Sequence, residues 1–186
     1  MTHADQTSRD RIPRRRGYTL LELLVVIVIL GIAGALVIPA MGETGILKVQ
    51  GGLRAIVSDM TFAQSDAVAF QEKRAVVFDV ATSSYTLVSV PGNTIDVANN
   101  TLYDPTRING VYTTDFRDGR FGDARIISAD FGAGSTALIF DAMGGPIESA
   151  GSNNPGVGGT VRVRGSGATF IINVEAFTGR ITVAQE

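Results

Sequence analysis

Apolar residues are concentrated in one continuous stretch near the start of the chain. Almost every position between Tyr18 and Met41 is apolar, and the sequence from Leu23 to Ile38 contains no charged residue. A helix rises ~1.5 Å per residue, so this stretch would measure roughly 35 Å, enough to cross a hydrocarbon core of about 30 Å. The pattern predicts a membrane-spanning helix over residues 18–41. Pro39 has no backbone N–H and is expected to kink or break that helix near its end.

A second helical pattern follows, in which apolar residues recur every three or four positions on one face. The members of this face are Leu53, Ile56, Val57, Met60, Ala63, Ala67 and Phe70. Polar residues, Asp59 and Asp66 among them, fall on the opposite side. We therefore predict that residues 42–72 form an amphipathic helix that continues the first one and packs on a sheet. A cofactor-binding face is the less favoured interpretation of the same stripe.

From Arg74 onward the apolar period changes to two, which predicts strands. Residues 75–80 and 85–90 form a predicted hairpin. Residues 91–122 are rich in Asn, Asp, Gly, Pro and Thr and are predicted to be a long loop with at most one weak strand. The later predicted strands are 124–127, 136–140, 160–164, 168–174 and 180–183. The expected fold is α+β, with one long N-terminal α-helix, half membrane-buried and half amphipathic, packed on antiparallel β-sheet in residues 73–186.

Charge is unevenly distributed about the apolar stretch. Residues 1–17 hold five arginines against two aspartates, a net charge of +3, whereas residues 18–186 hold eleven Lys and Arg against sixteen Asp and Glu, a net charge of −5. Basic residues directly before an apolar helix keep that end in the cytoplasm, so the acidic remainder is expected on the other side of the membrane. A domain of this charge has no general attraction to nucleic acid.

Residues that commonly carry out catalysis are few. The chain has no cysteine and its one histidine is His3, so residues 18–186 cannot form a Ser-His-Asp or Cys-His mechanism, nor a zinc site of His or thiolate ligands. Asp115, Asp118 and Asp123 are close in sequence but alternate with arginines, which favours a solvated turn over a calcium site or a catalytic carboxylate pair. We expect no enzyme activity, no metal and no cofactor.

The residues around Gly17 resemble a known processing signal. The sequence RGYTLLE, Arg16 to Glu22, precedes an uninterrupted apolar run and resembles the class III signal of type IV pilin-like proteins. The resemblance implies that prepilin peptidase removes residues 1–17 by cleaving between Gly17 and Tyr18, and that Tyr18, where the family usually has Phe, is then N-methylated. It also implies that Glu22 is the carboxylate used in assembly and that Pro39 is the proline at which pilin helices commonly kink.

A pairing of Glu22 can be argued from electrostatics. Cleavage creates a charged amine at Tyr18, about one helical turn from Glu22. In a staggered helix bundle, the carboxylate of one subunit could face the amine of its neighbour, which would offset the cost of burying both charges. The alternative is that Glu22 lies at the headgroup level and pairs with Arg16.

The rest of the chain is similar to one subgroup. Residues 53–78, 138–144 and 177–181 resemble the GspH/FimT group, whose members are minor pseudopilins of type II secretion systems or minor type IV pilins. The resemblance implies a structural subunit of a hetero-oligomeric filament of pseudopilins or pilins. It further implies a single-pass protein of the bacterial inner membrane, with a cytoplasmic N-terminus and a periplasmic C-terminal domain.

Two other functions remain open. Arg162 and Arg164 alternate along a predicted strand, with Arg180 in the following segment. FimT-type relatives are associated with DNA uptake through basic residues, so these arginines are candidate DNA contacts of a minor pilin, although a solvated sheet face is the favoured interpretation and a nucleic-acid partner is not expected. A signal-anchored periplasmic domain that forms no filament is the third alternative.

Overall fold

The computed structural model describes residues 17–40, 44–107 and 109–186. The chain divides into two units between residues 42 and 43. The first unit contains helix α1 (Leu20–Ala40), which includes Pro39. The leader up to Arg16 and residues 41–43 of the predicted break lie outside the described residues. No helix in the described part of the chain is both long enough and apolar enough to cross a membrane.

The second unit begins with helix α2 (Thr44–Phe70), whose buried face follows the predicted apolar stripe. The buried residues are spaced by three or four positions, and each is at most 6% exposed: Val49, Leu53, Ile56, Met60, Ala63 and Ala67. Of the other predicted members of this face, Val57 is half-buried and Phe70 is exposed. Phe70 is the last residue of the helix and is 68% exposed, with the Arg74 guanidinium 5.5 Å from its ring centre. The prediction that Phe70 packs in the core was therefore wrong.

Asp59 was predicted on the polar side of α2, but its side chain is buried. It is only 9% exposed, because two tyrosine hydroxyl groups donate hydrogen bonds to its carboxylate, Tyr85 at 2.6 Å and Tyr112 at 3.0 Å. Burial and the nearby Asp59 carboxylate raise the pKa of Tyr85 well above its usual value, so Tyr85 remains a hydrogen-bond donor.

Two antiparallel sheets complete this unit. The first has the strand order β3-β2-β1-β5-β6 and the second the order β4-β7-β8-β9. The strands are β1 (Lys73–Asp79), β2 (Ser84–Val90), β3 (Thr113–Asp115), β4 (Arg125–Asp130), β5 (Ala137–Phe140), β6 (Pro146–Ile147), β7 (Gly159–Gly165), β8 (Ala168–Val174) and β9 (Ile181–Gln185). The fold is α+β, as predicted.

The predicted loop between residues 91 and 122 contains more regular structure than its composition indicates. A short helix, α3 (Val97–Asn100), starts where the Asp96 carboxylate accepts hydrogen bonds from two backbone N–H groups. β3 pairs with β2, whereas β6, between the predicted strands 136–140 and 160–164, pairs with β5. Each of these elements has four residues or fewer, which is too short to produce a periodic pattern.

One hydrophobic core joins α2 to both sheets. It includes Ile56 and Met60 of α2, Phe78 and Leu87 of the first sheet, and Val163 of the second. Arg74 lies at the edge of this core and is buried, with hydrogen bonds to the carboxylates of Asp66 and Glu72. Its hydrogen bond lowers the pKa of Glu72.

Candidate processing and assembly site

The predicted cleavage position lies directly before α1. Gly17, Tyr18 and Thr19 precede the helix and are exposed. Thr19 caps the helix, because its hydroxyl oxygen accepts a hydrogen bond from the backbone N–H of Glu22 at 3.2 Å and its carbonyl accepts one from Leu23 at 3.1 Å. A cap at Thr19 leaves the Gly17–Tyr18 peptide bond outside the helix.

Glu22 is the third residue of α1 and the acidic residue of its first turn. The unsatisfied N–H groups at a helix start carry partial positive charge, which favours a carboxylate at this position. The side chain of Glu22 is exposed. It is therefore accessible to another molecule, and it stands about one turn from the residue that would become the new N-terminus.

The surface of α1 beyond Glu22 is apolar on all sides. Every large apolar side chain from Leu20 to Ile32 is exposed in this unit. A helix that is hydrophobic all round needs lipid or other helices to cover it. The described side chains of α1 therefore provide a surface for association, and Glu22 is the charged group at one end of it.

Two of the three candidate arginines lie in the second sheet and the third lies next to it. Arg162 and Arg164 are both exposed on β7, as their alternation predicts. The Arg162 guanidinium lies 3.8 Å from the Glu186 carboxylate. Arg180 precedes β9 and binds Glu175 at 2.5 Å, which lowers the pKa of Glu175. Glu175 comes four residues after Ile171, the partner of Arg162, so Arg180 is offset from Arg162 by roughly 13 Å along the strands and is farther still from Arg164.

Two residues at these sites, Thr19 and Arg125, were not predicted from the sequence. Thr19 could have been found from the Thr-x-x-Glu spacing before an apolar run, which is the signature of a helix start. Arg125 lies directly opposite Arg164 in the pairing of β4 with β7. No signal along the chain marks this neighbour, because the two residues are brought together by strand pairing.

The three aspartates that are close in sequence, Asp115, Asp118 and Asp123, form local ion pairs and turns. Arg117 pairs with Asp115 at 3.3 Å, and Arg120 with Asp118 at 2.7 Å. Asp123 accepts a hydrogen bond from the backbone N–H of Ser166 at 2.8 Å. Within the described residues, no group of three or more His, Cys, Asp or Glu side chains is arranged to hold a metal ion.

Comparisons with known proteins identify the family of the chain. Residues 12–38 match the prokaryotic N-terminal methylation motif. The chain is 31% identical over 137 residues to the pilin-like protein PilA1 of Thermus thermophilus, an alignment that covers 72% of this chain and 81% of the relative. The chain belongs to the type IV pilin-like proteins.

The fold of this pilin-like protein is also found in a solved structure. The minor pseudopilin EpsH from the type 2 secretion system of Vibrio cholerae matches with a TM-score of 0.51 over 74% of this chain and 97% of EpsH, at 11% sequence identity. Pilins and pseudopilins are structural proteins rather than enzymes. The prepilin motif indicates processing by prepilin peptidase and assembly with other pilins, and it fits a membrane-anchored protein with an extracellular domain.

Proposed function

We propose that this pilin-like protein is a minor pseudopilin, a structural and non-enzymatic subunit of a type II secretion pseudopilus. Residues 1–17 form the leader that prepilin peptidase removes, and Tyr18 becomes the N-methylated first residue. Residues 18–41 anchor the chain in the inner membrane with the N-terminus cytoplasmic, and Pro39 kinks the helix near its end. Residues 42–72 lead into residues 73–186, the β-rich domain in the periplasm.

The position of Glu22 carries this proposal. It is a carboxylate in the first turn of a helix whose other described side chains beyond it are apolar, about one turn from Tyr18. Burying an unpaired carboxylate among apolar helices is costly, whereas pairing it with the freed Tyr18 amine of a neighbouring subunit compensates for that cost. The pairing therefore favours the correctly staggered bundle and sets its register.

Replacing Glu22 tests this role. We expect Glu22→Ala to be cleaved normally between Gly17 and Tyr18, but to be recovered with the other pilin-like subunits in amounts at least tenfold lower than the unmutated chain. Glu148→Ala, which removes an exposed carboxylate of the second unit, is the matched control and should be incorporated normally. Recovery is measured by cross-linking intact cells and quantifying the chain in the isolated filament fraction. Normal incorporation of Glu22→Ala would contradict the charge-pair account.

The exposed arginines favour a second candidate function, that of a FimT-like minor pilin that binds DNA. Arg162 and Arg164 are exposed on one face of the second sheet, and Glu186 and Asp130 reduce the positive charge of that face. Arg125 lies opposite Arg164 but is half-buried, and its guanidinium donates hydrogen bonds to backbone carbonyl groups. The test is retention of double-stranded DNA by the full chain in detergent at low and high salt. Retention that is lost in the double variant Arg162→Ala/Arg164→Ala would support DNA binding, and no retention at low salt would exclude it.

A further inference from the structure

The edge strands of the two sheets differ in how well they are protected against pairing with another chain. β3 has three residues and contains Asp115, β6 has two residues and starts with Pro146, and β4 has an irregularity between Ile126 and Ser128. Natural proteins use such features to keep edge strands unpaired. β9, with the sequence ITVAQ, has no charge, no proline and no shift in its register with β8. It is the least protected edge in the described part of the chain.

The backbone of β9 presents hydrogen-bonding groups away from β8. The Glu175 N–H donates to the Arg180 carbonyl and the Glu186 N–H donates to the Thr169 carbonyl, both across the β8–β9 pair. In an antiparallel ladder, alternate residues bond to opposite sides. Arg180 and Glu186 flank β9 and bond towards β8, so the odd-numbered residues between them direct their N–H and C=O groups outward. These residues are Ile181, Val183 and Gln185, and no other described strand lies on their side.

A groove of about 620 Å³ lies between this free edge and helix α2. Its apolar floor is formed by Leu53, Val57, Phe170 and Val183. Val183 pairs with the buried Ile172 and so shares the core-facing side of the sheet, yet it is 47% exposed. This exposure indicates that α2 does not cover the edge strand. A free backbone edge beside an apolar floor is the geometry by which an extended peptide adds a strand to a sheet.

The groove also has a charge preference. Arg54, on the α2 side, is the charged residue among those that line it, and its side chain is exposed. An acidic side chain in a bound segment could reach this guanidinium, whereas a basic one would be repelled. Hydrophobic side chains at alternating positions of the same segment would contact Leu53, Val57 and Val183.

A second copy of the chain does not suit this edge in the proposed filament. Antiparallel pairing of two β9 strands would relate the copies by a two-fold axis perpendicular to the sheet. That axis would point the two α2 helices in opposite directions. Since each chain enters α2 at Thr44, the two chains would enter their second units from opposite directions, which does not suit subunits anchored in one membrane. The exclusion of a second copy rests on the proposed function, but the free edge does not.

We propose that the edge of β9 and its groove bind an extended segment of a different protein, which adds to the second sheet as a fifth strand. The segment is recognised by its β conformation, by alternating apolar side chains and by an acidic residue facing Arg54. The backbone hydrogen bonds supply affinity, and the floor and Arg54 supply specificity.

The probe is a phage-displayed library of random twelve-residue peptides, selected on the full chain in phospholipid nanodiscs. We expect selected peptides to alternate apolar and polar residues and to contain Asp or Glu. They should bind Val183→Pro at least tenfold more weakly, because proline removes an N–H that the second sheet itself does not use. Peptide binding should also slow hydrogen exchange of the Ile181, Val183 and Gln185 amides at least tenfold.

Two further variants separate strand addition from misfolding. Val183→Glu keeps the backbone and should weaken binding of the acidic peptides as much as Val183→Pro, whereas Thr182→Glu, on the opposite face of β9, should not weaken it. A third variant, Arg54→Glu, tests the charge preference and should weaken binding of the acidic peptides at least tenfold.

Three outcomes would overturn the proposal. The first is that no peptide is enriched over empty nanodiscs, and the second is equal binding to both Val183 variants and the unmutated chain. The third is slowed exchange of the three amides in a dimer without peptide, which would assign the edge to a second copy. Because the proposed filament role is tested separately at Glu22, either proposal can fail while the other stands.

Discussion

At the residue scale, the carboxylate of Asp59 connects α2 to the first sheet. It accepts hydrogen bonds from Tyr85 in β2 and from Tyr112 just before β3, and the Arg107 guanidinium lies 3.8 Å away. Tyr85 is 1% exposed, so its hydroxyl group has no access to water as an alternative partner. A buried hydroxyl group that loses its acceptor costs about 1–3 kcal/mol.

We predict that Asp59→Ala lowers the free energy of unfolding by about 2 kcal/mol, because both tyrosine hydroxyl groups lose their acceptor. Asp59→Asn keeps one acceptor oxygen and should cost less. Urea unfolding of the full chain in detergent can be followed by tyrosine fluorescence, since the chain has no tryptophan. An unchanged urea midpoint for Asp59→Ala would show that this hydrogen-bonded cluster does not contribute to stability.

At the element scale, two adjacent glycines show how closely α2 packs against its surroundings. A Cβ atom added to Gly52 would lie 2.7 Å from Cε1 of the buried Phe116 ring, whereas one added to Gly51 would have no atom within 4 Å. The Phe116 ring stacks on Phe121 with ring centres 4.6 Å apart and cannot easily move away. Alanine substitutions at the two positions therefore separate the effect of helix propensity on stability from the effect of packing.

We predict opposite effects for the two Gly→Ala variants. Gly51→Ala should raise the free energy of unfolding by about 0.5–1 kcal/mol, because alanine favours the helix. Gly52→Ala should lower it by about 1–3 kcal/mol, because the gain in propensity is smaller than the cost of overpacking. Thermal or urea unfolding of both variants provides the comparison. Equal stabilisation by both would show that Phe116 can yield at this contact.

The elements with long repeats could be predicted from the sequence. Leu53, Ile56 and Met60 are buried as their spacing predicts, and β8 has the predicted bounds, 168–174. The burial of Asp59 could not be predicted, because its partners Tyr85 and Tyr112 are 26 and 53 residues away along the chain. Phe70 is exposed at the last residue of α2, and the apolar spacing alone does not specify where the buried face of the helix ends.

At the scale of the whole molecule, the two units differ in whether their own apolar side chains are buried. The described part of α1 exposes its large apolar side chains, whereas the second unit has a core of its own that includes Val49 and Val174. Gly17, Tyr18 and Glu22 could be selected from the sequence because the processing signal is linear. The free edge of β9 could not, because it depends on which strands are neighbours.

The most direct test of the pilin-like account is the start of the mature protein. We expect N-terminal sequencing and mass measurement of the membrane-extracted chain to give N-methylated Tyr18, which supplies the amine that Glu22 needs in a neighbouring subunit. A protein that still begins at Met1, or that begins beyond Met41, would lack that amine next to Glu22. Either result would contradict the filament role and leave a simple anchored domain.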